Sequence, residues 1–163
     1  MAEGESSGRL EKGNVDLAVL VAEDNANDVF LLKHALKKAQ FANPVRYVAD
    51  GEEVMAYLQG EGAYADRAQH PFPALVLMDI KMPRLDGLET LGLIRNDPRY
   101  QRLVVIMLTS SNREQDINRA FDLGANSYLV KPARLEAMVG ILEEIKDYWL
   151  GLNHFPRGLV RPV

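Results

Sequence analysis

The sequence predicts a doubly wound α/β fold: a five-stranded parallel sheet in the flavodoxin-like order 2-1-3-4-5, with helices on both faces. Three observations lead there. Short apolar runs without polar alternation recur at residues 17–22, 75–78 and 103–108, the pattern of parallel strands buried on both faces. Between the runs, apolar residues fall at helical spacing, so strand and helix alternate and every crossover is right-handed by default. The runs stop at Glu23-Asp24-Asn25, at Asp79, at Thr109-Ser110-Ser111 and at Lys131-Pro132, which gathers polar chemistry at one edge of the sheet.

Taken in order, residues 1–14 are rich in Gly, Ser, Glu and Lys and cannot offset their ordering entropy, so they are read as a mobile arm. The folded domain is assigned to residues 15–149. After the first strand, Asn27 is the predicted cap of a helix whose apolar positions are Val29, Leu32, Leu36 and Ala39. Asn43-Pro44 turns the chain, residues 45–49 form the second strand, and Asp50-Gly51 opens a shorter helix through Val54, Tyr57 and Leu58. Residues 60–73 exceed the usual connection of about four to six residues and contain Pro71 and Pro73, so an insertion at the surface is predicted. The third strand runs into Asp79, and Pro83 and Gly87 forbid its continuation. A helix over Leu88, Leu91 and Ile94 must stop before Asp97-Pro98. Residues 103–108 form the fourth strand, and Ile117, Ala120 and Phe121 mark a helix closed by Gly124 as a left-handed cap. Residues 126–130 form the fifth strand. Leu135, Met138, Val139, Leu142, Ile145 and Trp149 then trace the apolar face of a last long helix.

Composition narrows the function. At 163 residues and 47% hydrophobic content the chain suits one globular domain. A net charge of -4 without a basic stripe argues against nucleic acid or an anionic membrane as partner. The absence of cysteine excludes disulfides and thiolate metal sites, and with no signal-peptide core or long apolar run the cytoplasm is the expected compartment.

In the order 2-1-3-4-5 the first and third strands lie side by side, so Glu23, Asp24 and Asp79 converge. Carboxylates forced together raise one another's pKa unless a cation sits between them, which predicts a hard divalent metal, Mg²⁺. His34, His70 and His154 are dispersed and form no zinc pattern. The fourth strand adds the Thr109 hydroxyl and the fifth the Lys131 ammonium at the same edge. A carboxylate nucleophile, a metal, a hydroxyl and an amine are the parts for handling a phosphoryl group.

Over essentially residues 17–149 the sequence resembles the receiver domains of two-component response regulators. Glu23-Asp24 is similar to their acidic pair, D-I-K-M-P-R-L-D-G to their phosphoacceptor loop with Asp79 as acceptor, L-T-S to the segment carrying the hydroxyl of Thr109, and K-P to the lysine segment at Lys131. The resemblance implies that Asp79 takes phosphate from a histidine kinase, that Asp24, Asp79 and the Lys81 carbonyl ligate Mg²⁺, and that Glu23 does so directly or through water. It also implies a cis peptide before Pro132, a Thr109 that moves toward the phosphate, and a Tyr128 that turns inward after it. Such a chain is a phosphoacceptor that takes part in its own phosphotransfer and autodephosphorylation rather than an enzyme. The segment before the central strand and the ending D-Y-W-L-G-L-N-H-F-P resemble the single-domain regulators that serve phytochrome-type kinases. Lys81 departs from the Asn frequent at its position, which bears on the dephosphorylation rate.

Other readings of the same pattern fit less well. A haloacid-dehalogenase-type phosphatase needs a second acid two residues after the nucleophile, where Lys81 stands. A flavodoxin or Rossmann module needs a phosphate loop free of acids, whereas Asp24-Asn25-Ala26-Asn27-Asp28 would repel phosphate and no G-x-G-x-x-G is present. A degenerate docking module would not be expected to keep Glu23, Asp24, Asp79, Thr109 and Lys131 together. Only residues 150–163 follow the last helix, so the signal is expected to leave by contact with another protein. Their apolar residues, Leu150, Leu152, Phe155, Leu159 and Val160, are interrupted by Gly151, Pro156 and Gly158, and are read as an arm at a homodimer interface, with the last helix and fifth strand contributing.

Overall fold

The computed structural model describes residues 16–156 and 158–159. The arm assigned to residues 1–14 and the apolar Val160 lie outside them. Five strands alternate with five helices: β1 (Ala18–Ala22), α1 (Ala26–Lys38), β2 (Val45–Val48), α2 (Gly51–Gln59), β3 (Pro73–Met78), α3 (Gly87–Asn96), β4 (Val104–Thr109), α4 (Glu114–Asp122), β5 (Ser127–Val130) and α5 (Leu135–Glu144). All strand pairs are parallel, in the order β2-β1-β3-β4-β5 that the sequence predicts. Among the described residues no helix is long and apolar enough to cross a membrane.

β3 is buried along its whole length because it feeds two cores. Leu75 and Leu77 join Val19, Val21 and Ile106 under Leu32 and Leu36 of α1 and Leu142 of α5. Val76 and Met78 point the other way, to Leu58 of α2 and Leu91 and Ile94 of α3. This two-residue alternation with apolar partners on both sides is why the strand reads as an unbroken apolar run, and why a one-residue slip would exchange the two layers.

Register carries the chemistry into place. Ala22 pairs with Met78, so Glu23 and Asp79 emerge as neighbours, and the Asp79 N–H donates to the Ala22 carbonyl at 3.0 Å. Thr109 pairs with Val130, so Lys131 follows directly, its N–H donating to the Thr109 carbonyl at 2.8 Å.

Two local features depart from the sequence reading, at α1 and at the last helix, and a third, the surface insertion, adds contacts to it. Helix α1 is capped by Asn25 rather than Asn27: the Asn25 side chain accepts from the N–H groups of Asn27 and Asp28, both at 3.0 Å. A cap must stand two or three residues ahead of the orphan donors it satisfies, and Asn25 does. The insertion before β3 is packed against the domain, with a 3₁₀ turn at Gly62–Tyr64. Its Arg67 donates to the carbonyls of Tyr57 and Leu58 at 2.7 Å, closing the C-terminal end of α2, and the buried Tyr57 hydroxyl donates to the Pro71 carbonyl at 2.9 Å. The last helix, finally, widens into π-helical turns over Ile145–Leu152. Wider turns bring Leu150 onto the face of Ile145, and both are buried, while Trp149 is only half-buried. Phe155 also packs on the core between the sheet and α1–α5, so this much of the C-terminal segment folds onto its own domain.

Helix α3 begins hard against the end of β3. A Cβ at Gly87 would lie 2.0 Å from the Asp79 carbonyl oxygen, and neither backbone can retreat without moving the sheet edge. Gly87→Ala is therefore expected to lower the unfolding free energy by about 3 kcal/mol, the upper end of overpacking costs. Urea unfolding measures it, and a wild-type midpoint would refute the close approach.

Candidate functional site

The site lies where β1, β3, β4 and β5 end. Asp79 follows β3 directly and is 8% exposed; its Oδ1 accepts from the Ile80 N–H at 2.7 Å and its Oδ2 from Lys131 Nζ at 2.9 Å. Glu23, one residue past β1 and 7% exposed, accepts from the Asn25 N–H at 3.0 Å and from Lys131. Asp28, on the first turn of α1, accepts from the same ammonium at 2.9 Å. One carboxylate oxygen from each of Glu23, Asp28 and Asp79 lies within 4.8 Å of the others.

Lys131 reaches this centre from a trans peptide, since no described peptide is cis, which corrects the expectation for the bond before Pro132. The strand register already delivers the lysine to the site, so its placement needs no isomer. Thr109 is buried at the end of β4, and its hydroxyl accepts from the Ser111 N–H at 3.4 Å. Tyr128 on β5 is half-buried against the core, and its hydroxyl donates to the Ser111 carbonyl at 2.9 Å, so it is tied to the loop that follows Thr109.

Burial pushes Glu23 up to about 7, against the hydrogen bonds from Lys131 and the Asn25 N–H, and Asp79 beside it adds to the rise. Burial also raises Asp79, but the hydrogen bonds of Lys131, Glu23 and Thr109 and the lysine charge outweigh it and hold Asp79 below the usual range. Burial pulls Lys131 down, yet hydrogen bonds to Glu23, Asp28 and Asp79 win, and it stays protonated well above its ordinary value. At neutral pH the centre thus pairs an ionised Asp79 with a permanent cation, while Glu23 is poised to gain or lose a proton.

Two openings flank Asp79. The inner one, about 350 Å³, is walled by Leu31, Leu32, Leu77, Leu108 and Met138 and reaches Lys131. The outer groove, about 580 Å³, is polar and brings Asp24, Asp79, Lys81 and Thr109 together with Ser110 and Ser111. The structure thus unites Glu23, Asp79, Thr109 and Lys131 as the sequence suggests. Asp24 is exposed and stands outside the tight carboxylate group, at the rim of the outer groove. Asp28 takes its place in that group, and sequence reading missed it. The signal that could have found it is the cap: with Asn25 as N-cap, Asp28 falls on the first helical turn, beside the strand end it follows. All three converging donors are carboxylate oxygens, a set that suits a hard, oxygen-seeking divalent ion, and the Lys131 ammonium is paired with all three.

A family model for the response regulator receiver domain matches residues 19–143. The chain is 32% identical over 156 residues to the probable methanogenesis regulatory protein FilR2 of Methanothrix harundinacea, covering 96% of this chain and 98% of that protein. It is 31% identical over 140 residues to the response regulator Rcp1 of Synechocystis, covering 86% and 93% of the two chains. A crystal structure of Mn²⁺-bound Rcp1 superposes with a TM-score of 0.75 at 31% identity, over 86% of this chain and 99% of that one. The phosphorylated cyanobacterial phytochrome response regulator RcpA superposes with a TM-score of 0.77 at 36% identity, again over 86% and 99%.

The charge balance has a pH signature. Because burial raises Glu23 from its ordinary value of 4.5 to about 7, its contribution to stability is fully present below about 4.5 and is lost as pH climbs through 7. Asp79, held low, contributes in the opposite sense: its share is lost only as pH falls through its depressed value. Lys131→Met removes the cation that opposes the burial of Glu23 and Asp79, so both then titrate upward and the folded state loses stability as pH rises. The variant is expected to be about 3 kcal/mol less stable than wild type at pH 7.5, the typical cost of breaking a buried pair, with a smaller deficit at pH 5. Unfolding curves at the two pH values check this, and a pH-independent deficit would contradict the account.

Proposed function

The chain belongs to the response regulator receiver domain family, and on that premise we propose that Asp79 accepts a phosphoryl group from the phosphohistidine of a histidine kinase in a Mg²⁺-dependent reaction. The observation that carries this reading is the convergence of Glu23, Asp28, Asp79 and Lys131 at one sheet edge, with Thr109 on the adjacent strand end. A phytochrome-type kinase is the proposed donor, on the likeness to RcpA. The cytoplasm is the proposed compartment, and the output is proposed to be contact with another protein.

In the transfer, an Asp79 carboxylate oxygen attacks phosphorus. The new O–P bond forms as the P–N bond breaks, and the departing imidazole takes its proton from solvent. Lys131 keeps Asp79 ionised beforehand and, 2.9 Å from Oδ2, is placed to follow the negative charge onto the phosphoryl oxygens. Thr109, at the floor of the outer groove, offers a hydroxyl to the same group. Glu23, Asp24, Asp79 and the Lys81 carbonyl are the proposed metal-holding groups, with Asp28 added because it lies within the carboxylate cluster. Bound Mg²⁺ supplies neutralisation of phosphoryl charge. Lys81, exposed and lining the groove, is proposed to stand beside the route for hydrolytic water.

The reading extends to a homodimer. The face of β5 and α5 carries half-buried Leu129, Ile141 and Trp149 around a groove of about 570 Å³, and Tyr148 and Leu152 nearby are 51% and 65% exposed. A twofold pairing of this face with its own copy would cover it. Because Leu150 and Phe155 are seated on their own core, the proposed contact is this face rather than an exchanged arm.

Two measurements test these statements. Labelling with acetyl phosphate should modify wild type and spare Asp79→Asn, and EDTA should abolish it; full labelling of the Asn variant would place the acceptor elsewhere. By light scattering at micromolar concentration the wild type should show twice the chain mass and Tyr148→Glu the single mass. A monomeric wild type would remove the dimer from the account.

A further inference from the structure

We infer that Arg84 and Asp50 form a clamp that positions the loop following Asp79, making Arg84 a positioning residue for the metal and phosphoryl site. This rests on the function proposed above. The loop leaves β3 at Asp79 and closes where the Gly87 N–H donates to the Ile80 carbonyl at 2.8 Å. Between those points Ile80 and Met82 are buried while Lys81, Pro83 and Arg84 are exposed, so few apolar contacts hold the outer half. Arg84 also has φ +64°, a left-handed conformation that a side-chain-bearing residue keeps only when its surroundings enforce it.

The enforcement comes from the neighbouring strand–helix corner. Arg84 Nε donates to Asp50 Oδ2 at 2.8 Å and a second guanidinium N–H donates to the same oxygen. Asp50 has no exposed surface, and its other oxygen caps α2 by accepting from the Glu53 N–H at 2.8 Å. Burial would raise the Asp50 carboxyl, but the Glu53 N–H and Arg84 hold it below its ordinary value, so it meets Arg84 as an anion at neutral pH. One residue along, the Gly51 N–H donates to the Leu85 carbonyl at 3.2 Å, and a Cβ at Gly51 would meet Leu85 Cβ at 2.6 Å. Two successive loop residues are therefore tied to two successive residues of the β2–α2 corner.

The consequence is geometric. With Asp79 fixed by the sheet and residues 84 and 85 fixed by the corner, the short span carrying the Lys81 carbonyl is held at both ends. Arg84 touches none of the reacting atoms. Its side chain is 61% exposed, so truncating it removes an anchor and little core.

The test compares wild type with Arg84→Met, Asp50→Asn, which keeps a capping oxygen, the double variant, and Arg84→Lys. Three readouts are taken: Mg²⁺ affinity by calorimetry, hydrogen exchange of the Gly87 amide in metal-free protein, and thermal stability. Arg84→Met should weaken Mg²⁺ binding by about tenfold, or 1.4 kcal/mol. It should also speed Gly87 exchange by a similar factor while exchange in the central strands stays unchanged. The double variant should be no worse than Arg84→Met alone, because both substitutions remove the same Arg84–Asp50 pair, and Arg84→Lys should recover part of the loss. Unchanged Gly87 exchange in Arg84→Met, additive losses in the double variant, or a uniform loss of protection across the sheet would each overturn the clamp. Wild-type protein that binds no Mg²⁺ would overturn the metal reading instead, and the metal-free exchange rates would still decide whether the pair holds the loop.

Discussion

The ammonium of Lys131 sits where three carboxylates from different elements meet, and the geometry of the sheet edge depends on that one interaction. Glu23, Asp28 and Asp79 each bring a carboxylate oxygen within 4.8 Å of the others, and without a cation between them they would repel one another. A single cation offsets part of that repulsion. Because its partners come from β1, α1 and β3, and the lysine from the end of β5, the pair network ties the outermost strand to the centre of the sheet.

That arrangement leaves the centre stable and unsaturated at once. Asp79 is ionised and shielded by a positive neighbour, whereas Glu23 carries the cost of burial and retains its proton to about 7. A group of oxygen donors whose repulsion is only partly relieved gains by accepting a further cation, and an anionic phosphoryl group gains by meeting the lysine.

The rest of the molecule is a rigid frame for this edge. Burial of β3 on both faces fixes register to the residue, and Gly87 lets α3 start in contact with the strand end. The loops above the edge are held by specific polar contacts, Arg84 on Asp50 and Tyr128 on Ser111, and Arg67 on the end of α2 does the same at the opposite edge of the sheet. Each places a long side chain across a gap that apolar packing does not fill.

Much of this was legible in the residues alone. Unbroken apolar runs such as residues 75–78 announce doubly buried strands, because period-two alternation disappears when both faces meet a core, and Asp97-Pro98 and Gly124 end their helices for backbone reasons that act within a few residues. With the strand order inferred, the meeting of Glu23, Asp79, Thr109 and Lys131 followed from register. Only the tertiary structure decided which acid completes the group. Asp24 and Asp28 are both near the strand end in sequence, and the choice between them rests on how the Asn25 cap aims the first turn of α1. It also decided that the last helix widens into π turns, so that Leu150 and not Trp149 is buried, and that Arg84 answers to Asp50, thirty-four positions away. Sequence patterns report interactions with a fixed spacing along the chain. Contacts between elements that meet only after folding leave no such period.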